Sequence, residues 1–354
     1  MTKLVYLRLD LLGIESINKD VFTGLVRLEV LELTGQEIRS LDNDVFGEIT
    51  NLVELNLYRN KIETIGERAF NGLSKLKKLN LDDNRLKLFN NYNKIFVPVS
   101  NIIQLNVDSN LISDETNLLK YFPLLKTLSI KGNVTKNLVE TASSLQLEFL
   151  TIQDSLSKIY INYFKNFKKL RGLELEYSLI QFIAPGEFCS HPKLTKLAIT
   201  FGHLTIIQPG AFYGLKQLKE LHLHRNPLNE IKEGVFGRVS EECSNLIRNN
   251  YSIESECVMQ KGLVELEVLS ITYGNISHIH PNAFCGNINL KTLNLMFNSI
   301  VTLEYKIEVR KSVYEDASVL RELHNLRDLN VYRNRISNLS VGIFKNNQHL
   351  KISQ

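Results

Sequence analysis

Apolar residues recur along this chain in one fixed arrangement: three leucine-type positions spaced three and then two apart, a polar residue three further on, then a second apolar pair and a phenylalanine. One copy reads Leu28, Leu31, Leu33, Gln36, Ile38, Leu41 and Phe46; another reads Leu52, Leu55, Leu57, Asn60, Ile62, Ile65 and Phe70; a third reads Leu218, Leu221, Leu223, Asn226, Leu228, Ile231 and Phe236. The alternation inside L-x-x-L-x-L has the period of a short strand, so its leucines share one inward face. Copies start at Leu4, Leu28, Leu52, Leu76, Ile102, Leu125, Leu147, Leu170, Leu194, Leu218, Leu266, Leu290 and Leu326. A repeat of about 24 residues predicts a solenoid, in which each copy is one coil and the core grows by one slice per coil. The expected fold is a curved α/β horseshoe of about 13 to 14 coils, with a parallel sheet on the concave side and short helices or irregular chain on the convex side. Each coil should give a strand of only about three to five residues.

The polar position is Asn at 60, 84, 110, 133, 226, 298 and 334. It falls where the chain turns away from the strand, and its amide can satisfy backbone groups of the adjacent coil. Leu12, Ser155, Ser178, Gly202 and Gly274 break the rule, so their coils are expected to be tied more weakly. The return segment carries Phe22, Phe46, Phe70, Phe188, Phe212, Phe236, Phe284 and Phe344 at one fixed place, which predicts a ring column in the convex half of the core. Between residues 87 and 169 the pattern loosens. There Phe96, Phe122 and Phe167 fall off the column by spacing, and Asn117 to Phe122 reads as a short helix.

Residues 1–354 are read as a single array with both ends inside a repeat, hence as part of a longer chain, because an open end exposes core leucines. Two steps are too long. Residues 237–265 hold either an irregular insertion or a degraded repeat, and residues 304–322 hold an insertion.

Composition narrows the chemistry. A net charge of +4 with both signs interspersed gives no argument for nucleic acid or for an anionic membrane. No apolar run is long enough to span a bilayer. P-loop, G-x-S-x-G and H-E-x-x-H motifs are missing, so no enzyme, cofactor or metal site is expected. Cys189 and Cys285 directly follow column phenylalanines three or four coils apart, roughly 14 to 19 Å at strand spacing. That exceeds the ~7 Å reach of a disulfide, so both are expected as buried reduced thiols. Cys243 and Cys257 are a candidate bridge closing a loop of about fifteen residues, worth ~3 kcal/mol in the chain-entropy model; two unrelated thiols is the alternative. Sequons stand at Asn133, Asn250, Asn275 and Asn338, a number that the Asn-rich composition gives by chance. Asn133 is a turn position too buried for a glycan, which leaves Asn250, Asn275 and Asn338 as candidates.

The stretches Ile62 to Asn84 and Leu204 to Asn226 both read I/L-x-x-I-x-x-x-x-F-x-x-L-x-x-L-x-x-L-x-L-x-x-N. This resembles the longer, extracellular class of leucine-rich repeats found in Toll and Toll-like receptor ectodomains, Slit-type guidance proteins and chaoptin-like adhesion proteins. The resemblance covers almost the whole chain, but the flanking cysteine caps of that class are missing. It implies a non-catalytic module of the cell surface or exterior that binds a protein or other macromolecule on its concave face. Dimerisation on ligand binding is one arrangement it leaves open. An intracellular adaptor scaffold is the alternative, favoured by the scarce cysteines.

The two residues after the third leucine of each copy should line the concave edge. From the eighth copy they run Glu176-Tyr177, Thr200-Phe201, His224-Arg225, Thr272-Tyr273, Met296-Phe297 and Tyr332-Arg333. Aromatic and Arg side chains on a rigid surface are what binding hot spots are enriched in. Tyr177, Phe201, Arg225, Tyr273, Phe297, Tyr332 and Arg333 are therefore the candidate ligand stripe; the alternative is that residues 237–265 or their own neighbours cover them. His222 and His224 flank Leu223 and should project together, tuning contact with a partner. Earlier in the chain Asn80, Asp82, Asp83, Asn106, Asp108 and Ser109 form a polar, acidic patch, best read as a solvated face rather than a calcium site.

Overall fold

A computed structural model describes residues 3–87, 92–111, 119–131, 146–153, 167–237, 262–310 and 313–351. The chain divides into two compact units, Met1–Asp154 and Ser155–Gln354. Each is a solenoid built as the leucine spacing predicts.

In the first unit, short strands pair in parallel in chain order: Tyr6–Arg8, Val30–Glu32, Glu54–Asn56, Lys78–Asn80, Gln104–Asn106, Thr127–Lys131 and Phe149–Gln153. The register joins leucine to leucine, Leu7 to Leu31, then Leu55, Leu79, Leu105, Leu128 and Leu150. In the second unit the strands are Gly172–Glu176, Lys196–Thr200, Glu220–His222, Val268–Ser270, Thr292–Asn294 and Asp328–Asn330. Leu173, Leu197, Leu221, Leu269, Leu293 and Leu329 pair across them in the same way. Leu31, Leu55, Leu79, Leu221 and Leu293 are all buried. Each of these strands is three or five residues long, as expected. Helix is scarce: the described α-helix is Tyr92–Phe96, followed by a 3-10 turn at Val97–Val99. Of the helix expected over Asn117 to Phe122, residues 117 and 118 lie outside the described residues; Leu119 is helical, and Lys120 and Tyr121 form a turn.

The turn asparagines work as a ladder between coils. Asn84 Oδ1 accepts from the backbone N–H of Ile62 in the preceding coil at 3.0 Å, while its Nδ2 donates to Leu57 O at 3.0 Å and Leu81 O at 2.9 Å. Asn226 repeats this with Leu204 N–H at 3.2 Å and Ile199 O at 2.7 Å, and Asn298 with Ile276 N–H and Ile271 O. Gln36 stands in for Asn in its coil and accepts from both Leu12 N–H and Ile14 N–H. The rule-breaking glycines make room for this ladder. A Cβ on Gly202 would sit 2.9 Å from Asn226 Oδ1, and one on Gly274 would sit 2.7 Å from Asn298 Oδ1.

The phenylalanine column is longer than its spacing suggests. In the first unit Phe22, Phe46, Phe70, Phe96 and Phe122 follow one another at 5.5 to 6.2 Å between centroids. Phe96 and Phe122 were expected off the column; the changed length of convex chain before them is absorbed without moving the rings. In the second unit Phe188, Phe212, Phe236 and Phe284 stack at 5.8 to 6.0 Å. Phe344, in the last coil, is partly exposed.

The strand Glu220–His222 pairs directly with Val268–Ser270, so the chain between them makes a single step along the sheet. Gly237 and Gly262 are described residues on this stretch of chain. These two backbones meet so closely that a Cβ on Gly262 would lie 2.5 Å from Gly237 O. Leu263 N–H donates to Phe236 O at 2.9 Å, and the buried Asn287 amide donates to both Phe236 O and Leu263 O, closing the neck from behind. Within residues 304–322 the strands Glu304–Arg310 and Val313–Ser318 pair as an antiparallel hairpin.

Cys189 is disulfide-bonded, which corrects the expectation of a buried thiol there. The repeat spacing relates Cys189 only to Cys285, which shares its place in the column. Cys285 is half-buried rather than buried, and its Sγ donates to Glu322 Oε1 at 3.5 Å. The candidate bridge between Cys243 and Cys257 lies outside the described residues, as do the sequons at Asn133 and Asn250. Asn275 and Asn338 are both exposed.

Candidate functional site: an aromatic and arginine row in the second unit

The candidate stripe forms one continuous row. Tyr177 and Phe201 stack at 5.3 Å between centroids. The Arg225 guanidinium lies over the Phe201 ring at 5.4 Å and over the Tyr273 ring at 4.7 Å. Tyr273 and Phe297 stack at 4.3 Å and 9°. Tyr332 meets Phe297 edge-on at 5.8 Å, and Arg333 lies over the Tyr332 ring while its Nε donates to the Tyr332 hydroxyl at 3.1 Å. Arg225 and Arg333 are exposed, as are Tyr177 at 54%, Phe201 at 43%, Tyr273 at 45% and Tyr332 at 59%. Cover by their neighbours is therefore partial: the rings bury faces against one another and leave their rims in water.

The backbone explains the alignment. Tyr177, Phe201, Arg225, Tyr273, Phe297 and Arg333 all have φ between 52° and 58°. This is the left-handed region, costing roughly 1 to 2 kcal/mol for a residue with a Cβ. The position ends each strand and swings the chain toward the asparagine ladder, so every coil needs it. Repetition of one unusual backbone state at one register places each side chain above the last. Sequence spacing could identify the column but not its conformation, because glycine, the usual marker of this state, is absent from all six places.

His222 and His224 project together, as expected, with ring centroids 5.4 Å apart. His222 Nε2 lies 3.5 Å from Glu220 Oε2. His224 Nδ1 lies 2.8 Å from Thr272 Oγ1. Burial and, after it, the adjacent His222 push the His224 imidazole below its ordinary value. Small residues flank the pair: Ala198 and Ser270 are in register with His222, and both are buried. Among the described residues, no group of three or more His, Cys, Asp or Glu is placed to hold a metal ion.

The acidic patch of the first unit is less solvated than expected. Asp108 is buried and accepts from the Ser129 hydroxyl. Asp82 carries a buried Oδ1, and burial pushes its carboxyl up.

Comparison with known proteins agrees with the geometry. A leucine-rich repeat model matches residues 2–62, 27–86 and 50–112, and a model of the BspA-type leucine-rich repeat region matches residues 140–264. No curated protein sequence matches the chain. Among solved structures, the chain is similar to a leucine-rich repeat protein of Leptospira interrogans, with a TM-score of 0.62 and 20% identity over 99% of this chain and 83% of that one. It is similar to the glycosylated Toll–Spatzle complex of Drosophila, with a TM-score of 0.61 and 20% identity over 94% of this chain and 41% of that one. It is also similar to the complex of TLR13 with a single-stranded RNA, with a TM-score of 0.54 and 19% identity over 97% of this chain and 61% of that one. The chain thus spans less than two thirds of the Toll and TLR13 chains that it matches. With the spine, the asparagine ladder and both model matches in agreement, the chain belongs to the leucine-rich repeat proteins.

Proposed function

We propose that this chain is a non-catalytic recognition module that binds a protein ligand along the row from Tyr177 to Arg333, outside the cell or at its surface. The observation that carries this reading is the row itself: aromatic and arginine side chains, exposed, in mutual contact, on a backbone that fixes their spacing. Such pre-ordered anchors lose little conformational entropy on binding. The disulfide at Cys189 supports an oxidising compartment over the cytosolic adaptor reading. Exposed sequons at Asn275 and Asn338 are compatible with the secretory route. Among the described residues no helix is long and apolar enough to cross a membrane.

The test is an array of purified secreted proteins probed with the whole chain. A ligand found in this way should bind the double variant Phe201→Ala, Tyr273→Ala at least about tenfold more weakly, the loss expected of hot-spot truncations. The variant's circular dichroism should be unchanged. A first-unit variant, Asp83→Ala, should bind as the wild type does. Unchanged affinity of the double variant would reject the row.

A further inference from the structure

The chemistry of the row narrows its ligand further, given the reading that the row is the binding surface. Aromatic rings carry negative charge on their faces and positive charge on their rims. In this row the faces are spent on neighbours: Tyr177 against Phe201, Tyr273 against Phe297, and the inner faces of Phe201 and Tyr273 against Arg225. Phe201 and Tyr273, each held between a ring and the guanidinium, therefore offer a ligand their rims. Arg225 shares this polarity. Rings flank its guanidinium on both sides, and its N–H donors lie in the guanidinium plane, where a carboxylate binds in bidentate fashion. Among the described residues no carboxylate pairs with it. On the nearest strands Glu174 lies on Lys196 at 2.6 Å and Glu220 toward His222. Arg333 adds a second guanidinium at the far end of the row.

We infer that the row receives an acidic polypeptide segment, with an Asp or Glu carboxylate on the Arg225 guanidinium and apolar side chains against the ring rims on either side. A single-stranded nucleic acid fits less well. Bases bind such rows by stacking on open ring faces, which Phe201 and Tyr273 at the centre of the row lack, and two arginines neutralise few phosphates. A basic partner would set like charges against Arg225 and Arg333.

The experiment uses the whole chain, immobilised, and four soluble probes: a random Glu–Tyr copolymer, poly-glutamate, poly-lysine and poly-uridylate. The Glu–Tyr copolymer should bind tightest, and its affinity should fall as salt rises. Arg225→Met should weaken it about tenfold or more. Arg225→Lys should lose nearly as much, because an ammonium keeps the charge but neither fills the slot between two rings nor binds a carboxylate in bidentate fashion. Arg59→Met, at the same position of a first-unit coil, should bind as the wild type does. Failure of the copolymer to bind, indifference to Arg225→Met, or tighter Arg225-dependent binding of poly-uridylate would each overturn the inference. If the copolymer fails while Phe201→Ala, Tyr273→Ala still loses the ligand found on the protein array, the row stands and its acidic preference falls. If both measurements are indifferent, the row itself is wrong.

Discussion

The two units use one backbone and fill it differently. At the left-handed position that ends each strand, the first unit holds Leu11, Gly35, Arg59, Asp83 and Ser109, with φ from 51° to 67°. The second holds Tyr177, Phe201, Arg225, Tyr273, Phe297 and Arg333 at nearly the same φ. The conformation is therefore a property of the coil, and the side chain placed on it is a separate choice. In the first unit that choice, at the described positions, is mixed in size and charge, and it includes a glycine, which the backbone prefers. In the second, large planar groups sit there coil after coil, at a backbone cost of roughly 1 to 2 kcal/mol each that glycine would avoid. Strain carried at one register by every coil of a unit is a reason to look for function there.

If the units share a scaffold and differ only in this column, the ladder should matter equally in both. Asn84→Ala and Asn226→Ala each strip a buried coil-to-coil tie and leave backbone groups without partners. Each should cost about 3 kcal/mol. Thermal unfolding should show both midpoints falling by roughly 10 °C. A large loss at one site with none at the other would break the equivalence.

Glycine substitutions sharpen the contrast with a smaller effect. Arg59→Gly relieves the left-handed strain and should stabilise the chain by about 1 kcal/mol. Tyr273→Gly relieves the same strain but loses its stack on Phe297 and its contact with Arg225, about 1 kcal/mol together, so stability should change little. Denaturant titration of the two variants separates these outcomes, and an equal gain at both would mean that the row contacts contribute nothing.

The smallest effect expected is one of pH. The His224 pKa is depressed in the folded chain, so the unfolded chain binds more protons as pH falls below the ordinary histidine value. Stability contributed by neutral His224 is present above that value and is lost as pH drops through the folded one. His224→Gln should flatten the decline in melting midpoint between about pH 7 and pH 5. An unaltered slope would remove His224 from the account.

The leucine spine was legible because burial imposes a strict period, and the asparagines because a turn must satisfy its own backbone. The row was legible as a column, since Tyr177, Phe201 and Tyr273 share a register. Its left-handed backbone was not, because that state is normally announced by glycine, and among the described positions of this register only Gly35 announces it. The place of Arg225 between two rings was also hidden: Tyr273 comes next in space but lies far along the sequence. Phe96 and Phe122 were misread for the converse reason, since convex chain changes length without disturbing the stack. Cys189 was misread because spacing rules compare cysteines within the repeat register and say nothing of a mate outside it.

The pinched glycines at 237 and 262 carry a practical consequence. The sheet steps from Glu220–His222 straight to Val268–Ser270, so Arg225 and Tyr273 remain neighbours however much chain lies between the two glycines. So close an approach of Gly237 and Gly262 marks a natural grafting point. The chain there could be trimmed, exchanged or loaded with a foreign domain while the rungs keep their order, which lets selection lengthen one part of the molecule and conserve another without compromise between them.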